Sequence, residues 1–205
     1  MSTDTDIVTE PQPDWRARVR DSKYGTVVVL VVVGVLVAAG AFLVKRPSAE
    51  AAGITEVTIN DSGAPAPEIG KPAVNFSAVT VDGKRVSLSD YRGKTVWLTF
   101  GASWCGDCQV ESTDIQAMYD KYQAKDVVVL GVFINEDSAA VKDYATRIGL
   151  TFPKVADPNS DIASTYRVLG IPAHFFIGKD GTIRSMKTGA LSPSQMEAAI
   201  NEAQS

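Results

Sequence analysis

Cysteine and histidine are almost missing from this chain of 205 residues, which has two of the first and one of the second. The two cysteines leave no thiol over for a structural bridge, which excludes a disulfide-stapled scaffold. One histidine beside them falls short of the roughly four ligands that a structural zinc site requires. An excess of positive charge is lacking as well. The formal net charge is −4, so the basic footprint of a nucleic-acid binder is absent and no nucleic-acid partner is expected. No internal repeat is visible. Long charge-free apolar runs are also wanting, with a single exception.

That exception is Thr26 to Val44, nineteen residues without a charge. As a helix rising about 1.5 Å per residue it spans roughly 28 Å, close to the thickness of a bilayer's hydrocarbon core. A helix satisfies its own backbone polar groups, as lipid demands, so residues 24–46 are expected to form a transmembrane signal-anchor that meets the lipid bilayer through 26–44. Arg16, Arg18, Arg20 and Lys23 precede the run, and only Lys45 and Arg46 follow it directly. The positive-inside rule then makes 1–23 a cytoplasmic tail and puts the rest outside, as a single-pass protein of the cell membrane. Cleavage is the competing reading, because Ala39-Gly40-Ala41 and Ala49-Glu50-Ala51 both fit an A-x-A pattern. The run is longer than a usual signal-peptide core, which favours an uncleaved anchor. No cysteine follows it, so a lipid-modified N-terminal cysteine is not available.

Charge divides with this boundary. Residues 1–46 hold six Lys/Arg against five Asp/Glu, and 47–205 hold fourteen against nineteen, so the larger, C-terminal part is acidic and should be soluble. Residues 47–71, with Pro47, Pro65 and Pro67 among several alanines and glycines, read as an extracytoplasmic linker, in which Ile54 to Ile59 alternates like a short strand. A globular domain is expected over 72–205. Asp82-Gly83 between apolar runs marks a hairpin, and Ser89-Asp90 can cap one helical turn. Thr95 to Gly101 reads as a strand, Cys105 to Lys125 as a helix, and Val127 to Ile134 as a buried parallel strand. Asp137 to Ile148 and Asp161 to Val168 read as helices. Ala173 to Ile177 and Thr182 to Met186 form a second hairpin around Asp180-Gly181, and Ser192-Pro193-Ser194-Gln195 opens the last helix. Strands alternating with helices imply parallel pairing, and hairpins imply antiparallel neighbours: an α/β domain with a mixed central sheet and helices on both faces.

The two cysteines lie three apart in Trp104-Cys105-Gly106-Asp107-Cys108, where a strand gives way to a helix. With no other partner they read as a redox couple. Backbone N–H groups and the helix dipole favour an anion at a helix start, so the Cys105 thiol should ionise more readily than a free one, and the thiolate is what attacks a disulfide. Cys108, one turn on, can resolve the mixed disulfide. The Asp107 charge would oppose thiolate formation somewhat and leave the couple less oxidising. Glu111, one turn deeper, either accepts the Cys108 proton or merely helps the helix N-terminus through its charge. Pro172 precedes a strand; a cis bond there would set backbone beside the cysteines and leave an edge for an extended substrate. Trp104 is core or a lid next to Cys105. His174 reads first as a plain strand residue, and second as a third ligand for a soft metal.

DGKRVSLSDYRGKTVWLTFGASWCGDC and GIPAHFFIGKDG resemble the active-site approach and the cis-proline strand of the TlpA/ResA-like branch of the thioredoxin superfamily, whose domains are also described as redoxin or AhpC/TSA-like. The resemblance covers the chain from about Pro72 onward, and Asp137 to Val168 resembles the branch's helical insertion. It implies a thioredoxin-like fold with an N-terminal hairpin, Cys105 as nucleophile, Cys108 as resolving thiol, a functional Glu111 and a cis Pro172, with Trp104 and Ile171 at the substrate. It implies a thiol–disulfide oxidoreductase, without a cofactor or metal, that reduces extracytoplasmic protein disulfides, apocytochrome c among them in cytochrome c biogenesis, using electrons from a membrane thiol donor. The chain departs from the family at Asp107 and Thr113, at Ala173 after the proline, and at Thr99, where thioredoxin has a buried aspartate. Two other functions compete: a copper metallochaperone using Cys105, Cys108 and His174, and a peroxiredoxin-like peroxidase, although Ala102 replaces the threonine such enzymes carry three residues before the reactive cysteine.

Overall fold

A computed structural model of the chain describes residues 24–44, 57–60, 63 and 65–205. The expectations for the tail 1–23, for the charges flanking the apolar run and for cleavage at Ala49-Glu50-Ala51 lie outside the described residues. The chain divides into two compact units, Met1–Ala51 and Ala52–Ser205.

In the first unit the apolar run is helical as expected, forming α1 over Gly25–Val44. Side chains are described for 27–38, and the large apolar ones are 49–66% exposed. Among the described residues no helix is long and apolar enough to cross a membrane.

The second unit holds β1 (Thr58–Ile59), β2 (Phe76–Val79), β3 (Arg85–Ser87), β4 (Thr95–Gly101), α2 (Gly106–Tyr122), β5 (Val127–Ile134), α3 (Ser138–Ile148), β6 (Lys154–Asp157), α4 (Asp161–Thr165), β7 (Ala173–Ile177), β8 (Ile183–Thr188) and α5 (Pro193–Gln204). The main sheet has the order β6-β5-β4-β7-β8. Strands β4, β5 and β6 run parallel, while β7 and β8 are antiparallel to their neighbours. A second, three-stranded sheet, β1-β2-β3, is antiparallel throughout.

Both faces of the main sheet are buried, which explains the near-continuous apolar character of β4, β5 and β7. Along β4, Trp97 faces the side covered by α2, α3 and α5, where Ile115, Met118, Val141, Met196 and Ile200 pack. Val96, Leu98 and Phe100 alternate onto the other side, against Ile162 and Tyr166 of the α4 segment, Phe76 of the small sheet and Leu88 of the turn that follows it. Both hairpin turns place glycine in the left-handed region their geometry needs, Gly83 at φ 80° and Gly181 at φ 78°. Helix α5 starts with the expected reciprocal cap: Ser192 Oγ accepts from Gln195 N, and Gln195 Oε1 accepts from Ser192 N at 2.9 Å.

Three expectations need correction. The unit starts before residue 72, because β1 pairs with β2 (Thr58 opposite Ser77) and the end of the presumed linker is bonded to β8 through Gly70 N to Ile183 O and Ile183 N to Lys71 O. Helix α4 stops at Thr165 rather than at 168, since Tyr166 turns inward to donate its hydroxyl to Val74 O at 2.6 Å and Arg167 takes a left-handed φ of 51°. Strand β6 was not foreseen at all. Its two polar residues are buried, and both serve local backbone. Lys154 Nζ donates to Leu150 O at 3.0 Å and Phe152 O at 2.7 Å, and burial draws its ammonium below the usual lysine range.

Asp157 accepts the N–H groups of Ile162 at 3.3 Å and Ala163 at 2.9 Å, holding the first turn of α4. Burial raises its carboxyl above the ordinary 3.8, and the backbone bonds recover part of that rise. A raised folded value means the group supports folding fully below 3.8 and progressively less as pH climbs through the folded value. In urea titrations the stability advantage of the native chain over Asp157→Asn should therefore be larger near about pH 3.5 than near about pH 7. An advantage that does not change with pH contradicts this.

Candidate active site

Strand β4 ends at Gly101 on the sheet's central axis, and the turn Ala102–Trp104 delivers the chain to α2. Cys105 is the N-cap of α2, with φ −87° and ψ 116°, and its sulfur accepts the N–H of Cys108 at 3.2 Å. Cys105 is half-buried and Cys108 buried; the two form a disulfide with their Cα atoms 5.2 Å apart. A Cβ added to Gly101 would meet Cys108 Sγ at 3.5 Å, which places the inner sulfur against the end of β4. The outer sulfur thus lies at the helix start within reach of a substrate, and the inner one is shielded by the sheet.

Glu111 lies one turn beyond Cys108 on the buried face of α2. The two line one cavity of about 20 Å³, large enough for a single water molecule, together with Thr99 and Ser112. Glu111 is 2% exposed; its Oε2 accepts the N–H of Leu191 at 3.1 Å and lies 3.5 Å from Nε2 of His174. Of the two sequence readings of Glu111, a solvated helix-start charge is therefore excluded by burial. His174 stands opposite Thr99 in the β4–β7 register and is wholly buried. Its Nδ1 lies 3.0 Å from Thr99 Oγ1 and receives the indole N–H of Trp97 at 3.3 Å.

The Ile171–Pro172 bond is cis. Ala173 pairs with Phe100, so Pro172 comes level with the end of β4, from which the cysteine turn departs. Pro172 is buried, Ile171 packs partly against the core, and Trp104 is 58% exposed, which makes Trp104 surface rather than core.

Sequence reasoning missed Glu136. This buried residue follows β5 and reaches across to the cysteine turn, where its carboxylate accepts Ser103 N at 2.7 Å and the Ser103 hydroxyl. Gln109 of α2 donates to Ser103 O, so the turn is tied from both sides. An acidic residue two positions past a predicted parallel strand was the available signal, since such strands end beside the loops that carry function.

The copper reading of Cys105, Cys108 and His174 does not survive this geometry. Nδ1 of His174 is occupied by Trp97 and Thr99, and Nε2 is directed at Glu111, so no ring nitrogen is left for a metal shared with the sulfurs. Among the described residues no cluster of three His, Cys, Asp or Glu could hold a metal ion. Ala102 is buried and offers no hydroxyl to a peroxide.

Known proteins match the same stretch of chain. The AhpC/TSA family model matches residues 69–186. The thiol-disulfide oxidoreductase ResA of Bacillus thuringiensis subsp. konkukian (strain 97-27) is 35% identical over 135 residues, which cover 66% of this chain and 78% of that protein. Among solved structures, a putative thiol:disulfide interchange protein DsbE from Chlorobium tepidum is similar at 28% identity and a TM-score of 0.63, covering 67% of this chain and 99% of the other. StoA from Bacillus subtilis is similar at 27% identity and a TM-score of 0.56, with coverages of 63% and 98%. A mixed thioredoxin-like sheet, a bonded cysteine pair at a strand-to-helix junction and these relatives agree: the chain belongs to the AhpC/TSA family and, within it, to the ResA-like thiol–disulfide oxidoreductases.

Proposed function

We propose that this oxidoreductase works outside the cytoplasm, held at the membrane by α1, and that it reduces disulfides in exported proteins, apocytochrome c among them. The observation that carries the reading is the asymmetry of the pair: Cys105 half-exposed at a helix N-cap, Cys108 buried in one cavity with Glu111.

The reduced enzyme starts as a Cys105 thiolate and a Cys108 thiol. The Cys105 thiolate attacks one sulfur of the substrate disulfide, forming a mixed disulfide and releasing the first substrate thiolate. Cys108 then gives its proton to Glu111, and its sulfur attacks Cys105. The intramolecular disulfide forms, the substrate's second sulfur leaves, and the proton ends on a substrate thiol. Two electrons pass from the chain to the substrate, and a membrane thiol donor returns them. Trp104 and Ile171 flank the substrate, and Pro172 presents the backbone that an extended segment would follow.

Membrane attachment is supported by the twenty-residue helix α1, by the exposure of the apolar side chains described over 27–38, and by the four basic residues that precede it against two that follow. A membrane-impermeant thiol reagent applied to intact, pre-reduced cells should label Cys105; labelling only after lysis would contradict an outside location.

The direction of exchange is tested by insulin turbidity together with a redox titration. A reductase should have a midpoint at or below roughly −200 mV, whereas a value near about −120 mV, typical of strong oxidants, would defeat the proposal. Glu111→Gln keeps the shape and removes the proton acceptor. It should slow release of the mixed disulfide by about a hundredfold in single-turnover stopped flow, while the first attack by Cys105 stays fast.

A further inference from the structure

His174, the buried neighbour of Glu111, is assigned no task by the exchange itself, and its surroundings are specific. His174 is wholly buried on β7 and carries a ring with two non-equivalent nitrogens. At Nδ1 it meets two groups from β4, Trp97 Nε1 at 3.3 Å and Thr99 Oγ1 at 3.0 Å. An indole N–H can only donate. Were the ring proton on Nδ1, two donors would face each other and the Trp97 N–H would be buried without an acceptor, which is costly. A threonine hydroxyl can turn to suit either case, so Trp97 decides the tautomer. Nδ1 is the acceptor, and the proton sits on Nε2. That N–H has no bond of its own, yet Glu111 Oε2 is 3.5 Å from it. A shift of about half an ångström brings the two into hydrogen-bond range. On its other side Oε2 is already fixed by Leu191 N, which belongs to the segment before α5.

We propose that His174 is a positioning residue for Glu111: a neutral N–H donor, aimed by Trp97 and Thr99, that holds the carboxylate behind Cys108. The inference rests on the reading of Glu111 as the Cys108 proton acceptor. It gives a buried carboxylate two fixed donors, one from the Leu191 backbone and one from an imidazole. Glu111 and Cys108 line the same cavity. Held this way, the carboxylate needs no reorganisation when the proton arrives. The imidazole needs no charge for this task, and an imidazolium would put a second N–H against that of Trp97.

The test uses the full chain, reduced, in three measurements. Nitrogen-15 NMR of the wild-type imidazole should show the proton on Nε2 and an unprotonated Nδ1; a proton on Nδ1, or on both, overturns the proposal. In stopped-flow single turnover with a small peptide disulfide, His174→Phe should slow mixed-disulfide release about tenfold, with the initial Cys105 attack little changed. His174→Gln, whose amide can donate to Glu111 and accept from Trp97, should recover most of that loss. A merely structural histidine predicts the reverse order, with the apolar phenylalanine tolerated and the amide not. If Glu111→Gln leaves release unaffected, the reading of Glu111 itself fails. If Glu111→Gln slows release and His174→Phe does not, only the present inference fails. Should His174→Phe not fold, the wild-type tautomer and the His174→Gln rate still decide.

Discussion

Cys105→Ser is expected to lower disulfide-exchange activity by roughly a thousandfold or more, to the level of the buffer reaction, without loss of the fold. Cys105 is the N-cap of α2, and serine is among the best N-cap residues, so the hydroxyl can take over the bond from Cys108 N that the sulfur accepts at 3.2 Å. What serine cannot supply is a nucleophile able to exchange with disulfides. Insulin reduction followed by turbidity reads the loss, and circular dichroism with urea titration reads the fold. The link between β4 and α2 does not depend on the cysteine either, because Glu136 and Gln109 hold Ser103 from opposite sides. Substantial activity left in Cys105→Ser would show that the attacking sulfur is elsewhere.

The second large effect is on stability. Trp97 is wholly buried near the middle of β4, its ring stacked on Phe176 with centroids 5.2 Å apart and tilted against His174 at 5.8 Å. Trp97→Ala should cost about 3–5 kcal/mol, combining lost apolar burial with the cavity left among rigid neighbours. That is roughly two to four orders of magnitude in the folding equilibrium, and a large share of the roughly 5–15 kcal/mol a domain of this size commands. The midpoint in urea should fall sharply while the slope stays the same. Trp97→Phe fills most of the space and should cost less than half as much. It also removes the indole N–H, which separates the packing role of Trp97 from its contact with His174. A cost below about 1 kcal/mol for Trp97→Ala would mean that β4 is not the packed centre described above.

Much of this molecule is legible in the chain before any coordinates. The two Asp-Gly turns, the capping motif at Ser192, the buried runs of β4 and β5 and the cysteine pair at a strand-to-helix junction are local signals, and each is where its pattern places it. The parts that could not be read are those in which polar residues are buried against backbone groups or pairing is set by distant segments. Strand β6 hides because Lys154 and Asp157 look like surface residues, yet each is buried to serve backbone groups of neighbouring segments. The early start of the compact unit hides because β1 has only two residues, and its pairing with β2 is not a local property. Glu136 and Ser103 are far apart in sequence and meet only once β4 and β5 lie in register.

His174 is the clearest case. Its place on a strand was evident, and so was its status as the only histidine. Its role depends on the register that sets it opposite Thr99 and on the helix that carries Glu111 over the sheet. Residue type alone left a plain strand residue as the first reading and a metal ligand as the second; the partners around the ring nitrogens favour the positioning of Glu111 instead.

In the proposed cycle Cys105 attacks and Cys108 resolves. Cys108→Ser stops the cycle between those two steps, so the full-length variant, reduced and then mixed with a disulfide-bonded peptide, should accumulate a covalent adduct. Mass spectrometry of its proteolytic fragments reads where the peptide is attached. One peptide per chain is expected, bound through Cys105 and released by dithiothreitol. A variant that forms no adduct, or that turns over the peptide as fast as the native chain, would contradict it.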